Sequence, residues 1–253
     1  MISATDASRS HREPALSGQT VVAIGGSAGI GLETARLARV EGAEVILTGR
    51  NAERLQHAAS ELGARRIAAF DANDTEALAA FFSETSGTID HVIVTGGGPH
   101  YKPPLEMDAD EARRAISEHM LVALSVARYA RTKIRPGGTL LFMGGTGARR
   151  PGPGLAIVSA VTNAMPAFTA SLALDLAPIR VNLIAAGFVD TPLSATLLGD
   201  RLDARRDELR ATLPIKRVVG PADVAALAVH IMTNTALTGG TYDIDGGQQL
   251  VAR

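Results

Sequence analysis

A chain of 253 residues, 46% of them hydrophobic and with no halfway linker, is expected to form one large α/β domain. Its net charge of −1, from interleaved acidic and basic residues, leaves no electrostatic footprint for nucleic acid or an anionic membrane. With no cysteine, disulfides, thiol nucleophiles and thiolate metal sites are excluded, and no histidine is spaced with carboxylates as a metal site requires, so no metal is expected.

Residues 1–18 are polar, mixed in charge and aperiodic, and read as a disordered tail ahead of a single domain over 19–253. They contain no signal-like apolar segment, and no apolar run approaches the roughly 18 residues of a membrane span, so a cytoplasmic protein is expected. The run Val21-Val22-Ala23-Ile24 then turns over on Gly25-Gly26-Ser27-Ala28-Gly29-Ile30-Gly31 and passes into Thr34, Leu37 and Ala38 at helical spacing. This is a buried strand, a tight loop and a helix start. Gly25 allows the turn, Gly29 has no Cβ to hold a ligand off, and Gly31 lets helix and strand pack closely. Free N–H groups and the helix dipole favour an anion there, which makes Gly25, Ser27, Ala28, Gly29, Ile30 and Gly31 candidate phosphate contacts.

A second strand over 44–48 ends at Gly49-Arg50-Asn51. An acidic residue at this place would bond the ribose hydroxyls of NAD; Arg50, with Asn51 beside it, offers instead a fork of donors suited to a 2′-phosphate. NADP(H) is therefore favoured over NAD(H). A helix over 52–62, a strand over 66–70, a turn at 71–74 capping a helix to 83, and a strand over 90–95 follow. Residues 108–133 read as one or two helices and 139–143 as a buried strand. In the stiff loop 148–154, Arg149 and Arg150 are placed either to clamp a carboxylate or phosphate or to form a solvated turn. A long helix over 155–176, a strand over 179–185, a charged, leucine-rich segment over 190–214 that suggests a mobile lid, a helix from Pro221 and a last strand before Gly246 complete the chain. The strand–helix alternation implies right-handed crossovers, a parallel sheet and a ligand crevice at the strands' C-terminal ends.

From Gly18 onward the chain resembles the short-chain dehydrogenase/reductase family. The likeness is carried by the glycine loop, the Asp71 turn, the block Ser171-Leu172-Ala173-Leu174-Asp175-Leu176 with Ile179-Arg180-Val181-Asn182, and Thr238-Gly239-Gly240 with Asp245-Gly246-Gly247. It implies a Rossmann-like, doubly wound, mainly parallel sheet of about seven strands with helices on both faces. It also implies NADP(H)-dependent hydride transfer to or from a small carbonyl or alcohol, in a homodimer or homotetramer paired through helices 108–133 and 155–176. On this resemblance Asp71 bonds the adenine amino group, Ala72 lies beside it, and Gly96 and Gly97 flank the ribose. Asn182 precedes a loop in which Gly187, Phe188, Val189 and Thr191 match contacts to the carboxamide end. Three positions depart from the family pattern: Ile24 for a threonine, Val94-Thr95-Gly96-Gly97 for an asparagine-rich motif, and Ala186 for a proline.

The family's catalytic set is a Tyr, a Lys four residues on, a Ser about a dozen residues earlier and an Asn in the preceding helix. Counting back from Leu172-Ala173 puts Val158 at the Tyr, Thr162 at the Lys, Gly145 at the Ser and His119 at the Asn; no Tyr or Lys occurs between Gly144 and Leu176. Candidates for replacement chemistry are the crevice-edge loop His100-Tyr101-Lys102, which could equally be rim groups, and His119, which could equally be a packing residue. Ser159, spaced with Asn163 as the Tyr is with the Lys, could hydrogen-bond a substrate. The other reading open to the sequence is a catalytically inactive NADP(H)-binding sensor or scaffold.

Overall fold

The structure, a computed structural model, describes residues 13–96, 102–150 and 152–251. Seven short apolar runs form the strands β1 (Thr20–Ile24), β2 (Glu44–Gly49), β3 (Arg66–Ala69), β4 (Ile89–Val94), β5 (Ile134–Gly145), β6 (Arg180–Ala186) and β7 (Thr241–Ile244). They make one parallel sheet in the order β3-β2-β1-β4-β5-β6-β7. The helices are α1 (Gly29–Val40), α2 (Ala52–Leu62), α3 (Thr75–Glu84), α4 (Ala109–Ala130), α5 (Ala156–Asp175), α6 (Pro192–Leu198), α7 (Leu202–Thr212) and α8 (Pro221–Thr233). The pleat of β1 sends Val22 and Ile24 into a core with α3, α4 and α5, and Val21 and Ala23 into a second core with α1, α2 and α8. From β1 the chain winds outward to β2 and β3, and from β4 outward the other way. The order reverses between β1 and β4, which opens the crevice at their C-terminal ends.

Two polar clamps hold the β6 side. The buried Arg180 guanidinium donates to Gly137 O, Thr139 Oγ1 and the carbonyls of Ile231, Met232, Asn234 and Leu237. Three of these carbonyls lie at the C-terminal end of α8, the negative pole of its dipole, which suits a cation. Asn182, also buried, donates to Leu237 O and accepts from Gly240 N, fixing the chain that feeds β7.

Two expectations are corrected. Residues 14–18 are not a free tail: Leu16 is fully buried in the second core, Leu16 N donates to Glu41 O, and Ala15 N donates to the Glu41 carboxylate. One apolar residue in a polar stretch has no periodicity to announce it; residues 1–12 lie outside the described residues. In addition, the 20-residue α5, with a mean hydropathy of 1.5, is by length and composition apolar enough to cross a membrane. Its interspersed Ser, Thr and Asn, with Pro166, broke up the apolar run in the sequence. Here it packs on the sheet through Val158, Val161, Met165, Leu172 and Ala173.

His91 on β4 is buried, with Nε2 2.7 Å from Gln19 Oε1 and Nδ1 without a partner among the described residues. Burial chiefly lowers its pKa to about 4; Asp90 opposes the shift, while Arg180 and Arg135 add to it. An unfolded histidine titrates near 6.5, so as pH falls the unfolded chain takes the proton first. The contribution of His91 is thus fully present above about pH 6.5 and lost as pH falls towards 4. Urea denaturation should show a loss of about 2 kcal/mol between pH 7 and pH 5 that His91→Gln largely removes; equal pH dependence in both proteins contradicts this.

Candidate functional site

Gly25, at φ +92°, turns the chain out of β1, and its N–H and that of Gly26 donate to Thr48 O at 3.2 and 2.8 Å. A Cβ on Gly31 would lie 2.4 Å from Gly25 O and 2.6 Å from Thr95 Oγ1; one on Gly25 would lie 2.7 Å from Thr95 Oγ1 and 2.8 Å from Gly96 N. Both overlaps are with atoms held by the sheet, so α1 reaches the end of β4 only with glycine at both positions. Thr95, whose hydroxyl lies within hydrogen-bond distance of Ile24 O and Gly25 O, joins the two loops. The N-cap of α1 is Ala28, whose methyl satisfies none of the first-turn N–H groups, and these have no intrahelical partners. Those donors and the positive end of the helix dipole make an anion seat. Gly29 is required for a reason other than ligand approach: φ is +55° and its Cβ direction faces Thr191 at 3.5 Å.

At the end of β2, a Cβ on Gly49 would meet Ser27 Oγ at 2.9 Å, so the Ser27 hydroxyl lies over Gly49. The Arg50 side chain is 79% exposed, with Nη1 3.9 Å from Asp71 Oδ2. Asp71 Oδ1 accepts from the Asn73 backbone and side-chain amides, both at 3.0 Å, leaving Oδ2 on the Arg50 side. The Cβ direction of Gly96 meets Ala72 Cβ at 3.7 Å and Ile24, so these three residues share one wall. Asn51 differs from its expected role: Oδ1 accepts from Arg54 N at 2.7 Å, which commits it as the cap of α2. Gly97 lies outside the described residues.

Beyond β6, a Cβ on Gly187 would lie 2.6 Å from Asp245 Cβ, and Gln248 Oε1 accepts from Phe188 N at 2.9 Å. Gln248 therefore pins this loop, a role that no local pattern in the sequence signals. The Val189 side chain is buried in the second core and its backbone bridges Val219, so only its main chain can face the crevice. Thr191 caps α6 through Ser194 N at 3.3 Å. The 190–214 segment is anchored rather than a free lid: Leu209 and Leu213 are buried, and Arg206 grips both Asp190 oxygens at 2.9 and 2.8 Å.

The positions reached by counting come together in part. The Cβ direction of Gly145 meets Thr162 Cγ2 at 3.8 Å, and Val158, one turn earlier on α5, is buried. Burial lowers the pKa of His119 on α4, a shift that the nearby Met143 backbone opposes, so the neutral imidazole is favoured at pH 7. With Val94, Gly96, Phe142, Met143 and Met165 it lines a recess of about 10 Å³, close to the room one water needs.

The other candidates are placed differently. Among the described residues Ser159 Oγ is buried without a partner, and Asn163 donates to Ser159 O at 2.8 Å and not to its hydroxyl. Lys102 bonds Glu111 at 2.5 Å, at the start of α4; His100 and Tyr101 lie outside the described residues. Arg149 grips both oxygens of Asp243, and Arg150 donates to Val251 O at 2.6 Å, so neither stands free as an anion clamp. Both partners are about a hundred residues away in the chain, beyond the reach of sequence spacing. Among the described residues no three His, Asp or Glu side chains gather as a metal site would require.

Residues 25–249 match the family model described as enoyl-(acyl carrier protein) reductase. The short-chain dehydrogenase/reductase ATR9 of Stachybotrys chlorohalonatus is 28% identical, over 92% of this chain and 98% of its own. The MalC reductase/Diels-Alderase of Malbranchea aurantiaca superposes with a TM-score of 0.87 at 26% identity, covering 94% of this chain and 99% of that one. BdcA in complex with NADPH superposes with a TM-score of 0.81 at 28% identity, covering 92% and 95%. The chain belongs to the short-chain dehydrogenase/reductase family of oxidoreductases, with that family's seven-stranded Rossmann-like sheet.

Proposed function

We propose that the protein is an NADP(H)-dependent oxidoreductase that moves hydride to or from a small carbonyl or alcohol, at a site with a non-standard proton relay. The observation that carries the dinucleotide reading is the close approach at Gly25, Gly31 and Thr95, which admits no Cβ and brings to the crevice first-turn N–H groups of α1 that have no intrahelical partners. The residues fit the group. Gly25, Ser27, Ala28, Gly29, Ile30 and Gly31 would hold the pyrophosphate; Arg50 the 2′-phosphate; Asp71 and Ala72 the adenine; Gly96, with Gly97, the ribose; and the Gly187, Val189 and Thr191 backbone the carboxamide. When bound, the nicotinamide supplies the hydride. NADPH in the related BdcA supports the choice of cofactor.

The proton must come from elsewhere than a Tyr/Lys pair, because Val158 and Thr162 carry no group that titrates near neutrality. His119, which lines the recess with Gly96, would turn its one N–H to the Met143 backbone and so could only accept at its other nitrogen: it would take the proton of a substrate alcohol, directly or through one water, in the oxidation direction, while in reduction the proton would come from water. The same apolar positions favour a second reading, a dinucleotide-binding sensor that performs no chemistry. We also infer a homo-oligomer: α4 exposes Ile116, Leu121 and Leu124, and α5 exposes Leu174, an apolar face suited to the same face of a second copy.

Calorimetric titration should show NADPH binding more tightly than NADH. Arg50→Ala should weaken NADPH by about 10- to 100-fold, the equivalent of one charge-assisted hydrogen bond, and leave NADH unchanged. No binding of either sinks the oxidoreductase reading, while tight NADPH binding with no turnover across a carbonyl panel supports the sensor. Sedimentation at micromolar concentration should give a dimer or tetramer; a monomer contradicts the helix-face pairing.

A further inference from the structure

Resting on the oxidoreductase reading, we propose that the substrate is a bulky, apolar and uncharged carbonyl compound or its alcohol, gripped by a leucine rim around the crevice mouth. Four contacts join segments at the C-terminal edge of the sheet into an open ring. The Cβ direction of Gly154 meets Pro103 at 4.0 Å, Arg150 holds Val251 O, Ile215 rests on Gly246, and Thr191 and Pro192 lie 3.5 to 3.9 Å from the Cβ direction of Gly29, at the start of α1.

On this ring stand Leu105, Leu193, Leu197, Ile215 and Leu250, all exposed, with Leu105 at 101% and Leu250 at 84%. Leu193 and Leu197 share one face of α6, a helix with no buried residue, so they stabilise no core. Apolar side chains from four separate segments, left in water around one mouth, mark a binding surface. Their arrangement suits a guest enclosed by the ring; a second copy finds its continuous apolar face on α4 and α5.

Charge points the same way. Among the described residues, Lys102 is paired with Glu111, Arg149 with Asp243 and Arg206 with Asp190, while Arg150 and Lys216 hold the carbonyls of Val251 and Ala211. A substrate carboxylate or phosphate that met any of these cations would have to compete with its present partner. Inside the ring, Val158 and Thr162 add an apolar wall and an uncharged one.

The test compares octanal with 8-oxooctanoate, which differ only at the end remote from the aldehyde, in titrations of the NADP+-loaded protein, where no hydride can pass to an aldehyde. Octanal should bind at least tenfold more tightly. The double variant Leu193→Glu/Leu197→Glu should weaken octanal at least tenfold with NADP+ affinity, melting temperature and sedimentation unchanged. Equal or tighter binding of 8-oxooctanoate, or NADP+ binding without octanal binding, overturns the proposal alone. So does a double variant that falls to monomer with its octanal affinity intact, since the leucines would then serve a second copy. Failure of NADP+ itself to bind removes the oxidoreductase reading, and the proposal with it.

Discussion

The fold around the crevice depends on one close approach: the backbone of Gly31 against the carbonyl of Gly25, with the Thr95 hydroxyl filling the corner. A single methyl at residue 31 would stand 2.4 Å from that carbonyl, and backbone on both sides leaves nothing flexible to yield. The approach seats the start of α1 over the gap between β1 and β4, where the strand order reverses. The first-turn N–H groups of that helix, which have no intrahelical partners, then face the crevice that this reversal opens. Sequence, packing and electrostatics meet here, since the residues that permit the contact also leave the donors exposed.

The opposite wall is held by polar groups working over long stretches of chain. Arg180 gathers the end of α8, Asn182 fixes the approach to β7, and Gln248 pins the loop after β6 from sixty residues away. Together they fix the chain on both sides of the Gly187–Thr191 loop. Arg206 on Asp190 ties α7 to the same loop, and α6 between them carries the exposed leucines.

Much of this was legible in the residues. The apolar runs, the glycine spacing and the strand–helix alternation are local signals, and they led to the parallel sheet, the glycine turn after β1 and the crevice edge. Arg50 and Asp71, placed by pattern alone, do stand side by side. What was not legible depends on contacts between distant residues. Thr95 and Gln248 look like ordinary polar residues until folding brings them to Gly25 and Phe188. Leu16 is a lone apolar residue whose burial only the end of α1 explains, and Arg149 and Lys102, which the sequence left as either substrate contacts or solvated rim groups, are paired with Asp243 and Glu111. Asn51 was ambiguous in sequence because a residue that follows a strand can face a ligand or cap the next helix; here its oxygen caps α2.

Family membership places the chain among oxidoreductases, while the apolar Val158 and the uncharged Thr162 ask for a proton from another source. Every version of that chemistry begins with a dinucleotide on the first turn of α1. The most direct measurement is amide hydrogen exchange with and without saturating NADPH. The account predicts that the N–H groups of Gly29, Ile30 and Gly31 slow by at least tenfold, because each gains a phosphate acceptor it otherwise lacks. Unchanged exchange at those three amides, with protection only elsewhere, would show that the ligand does not sit on this helix and would contradict the account at its centre.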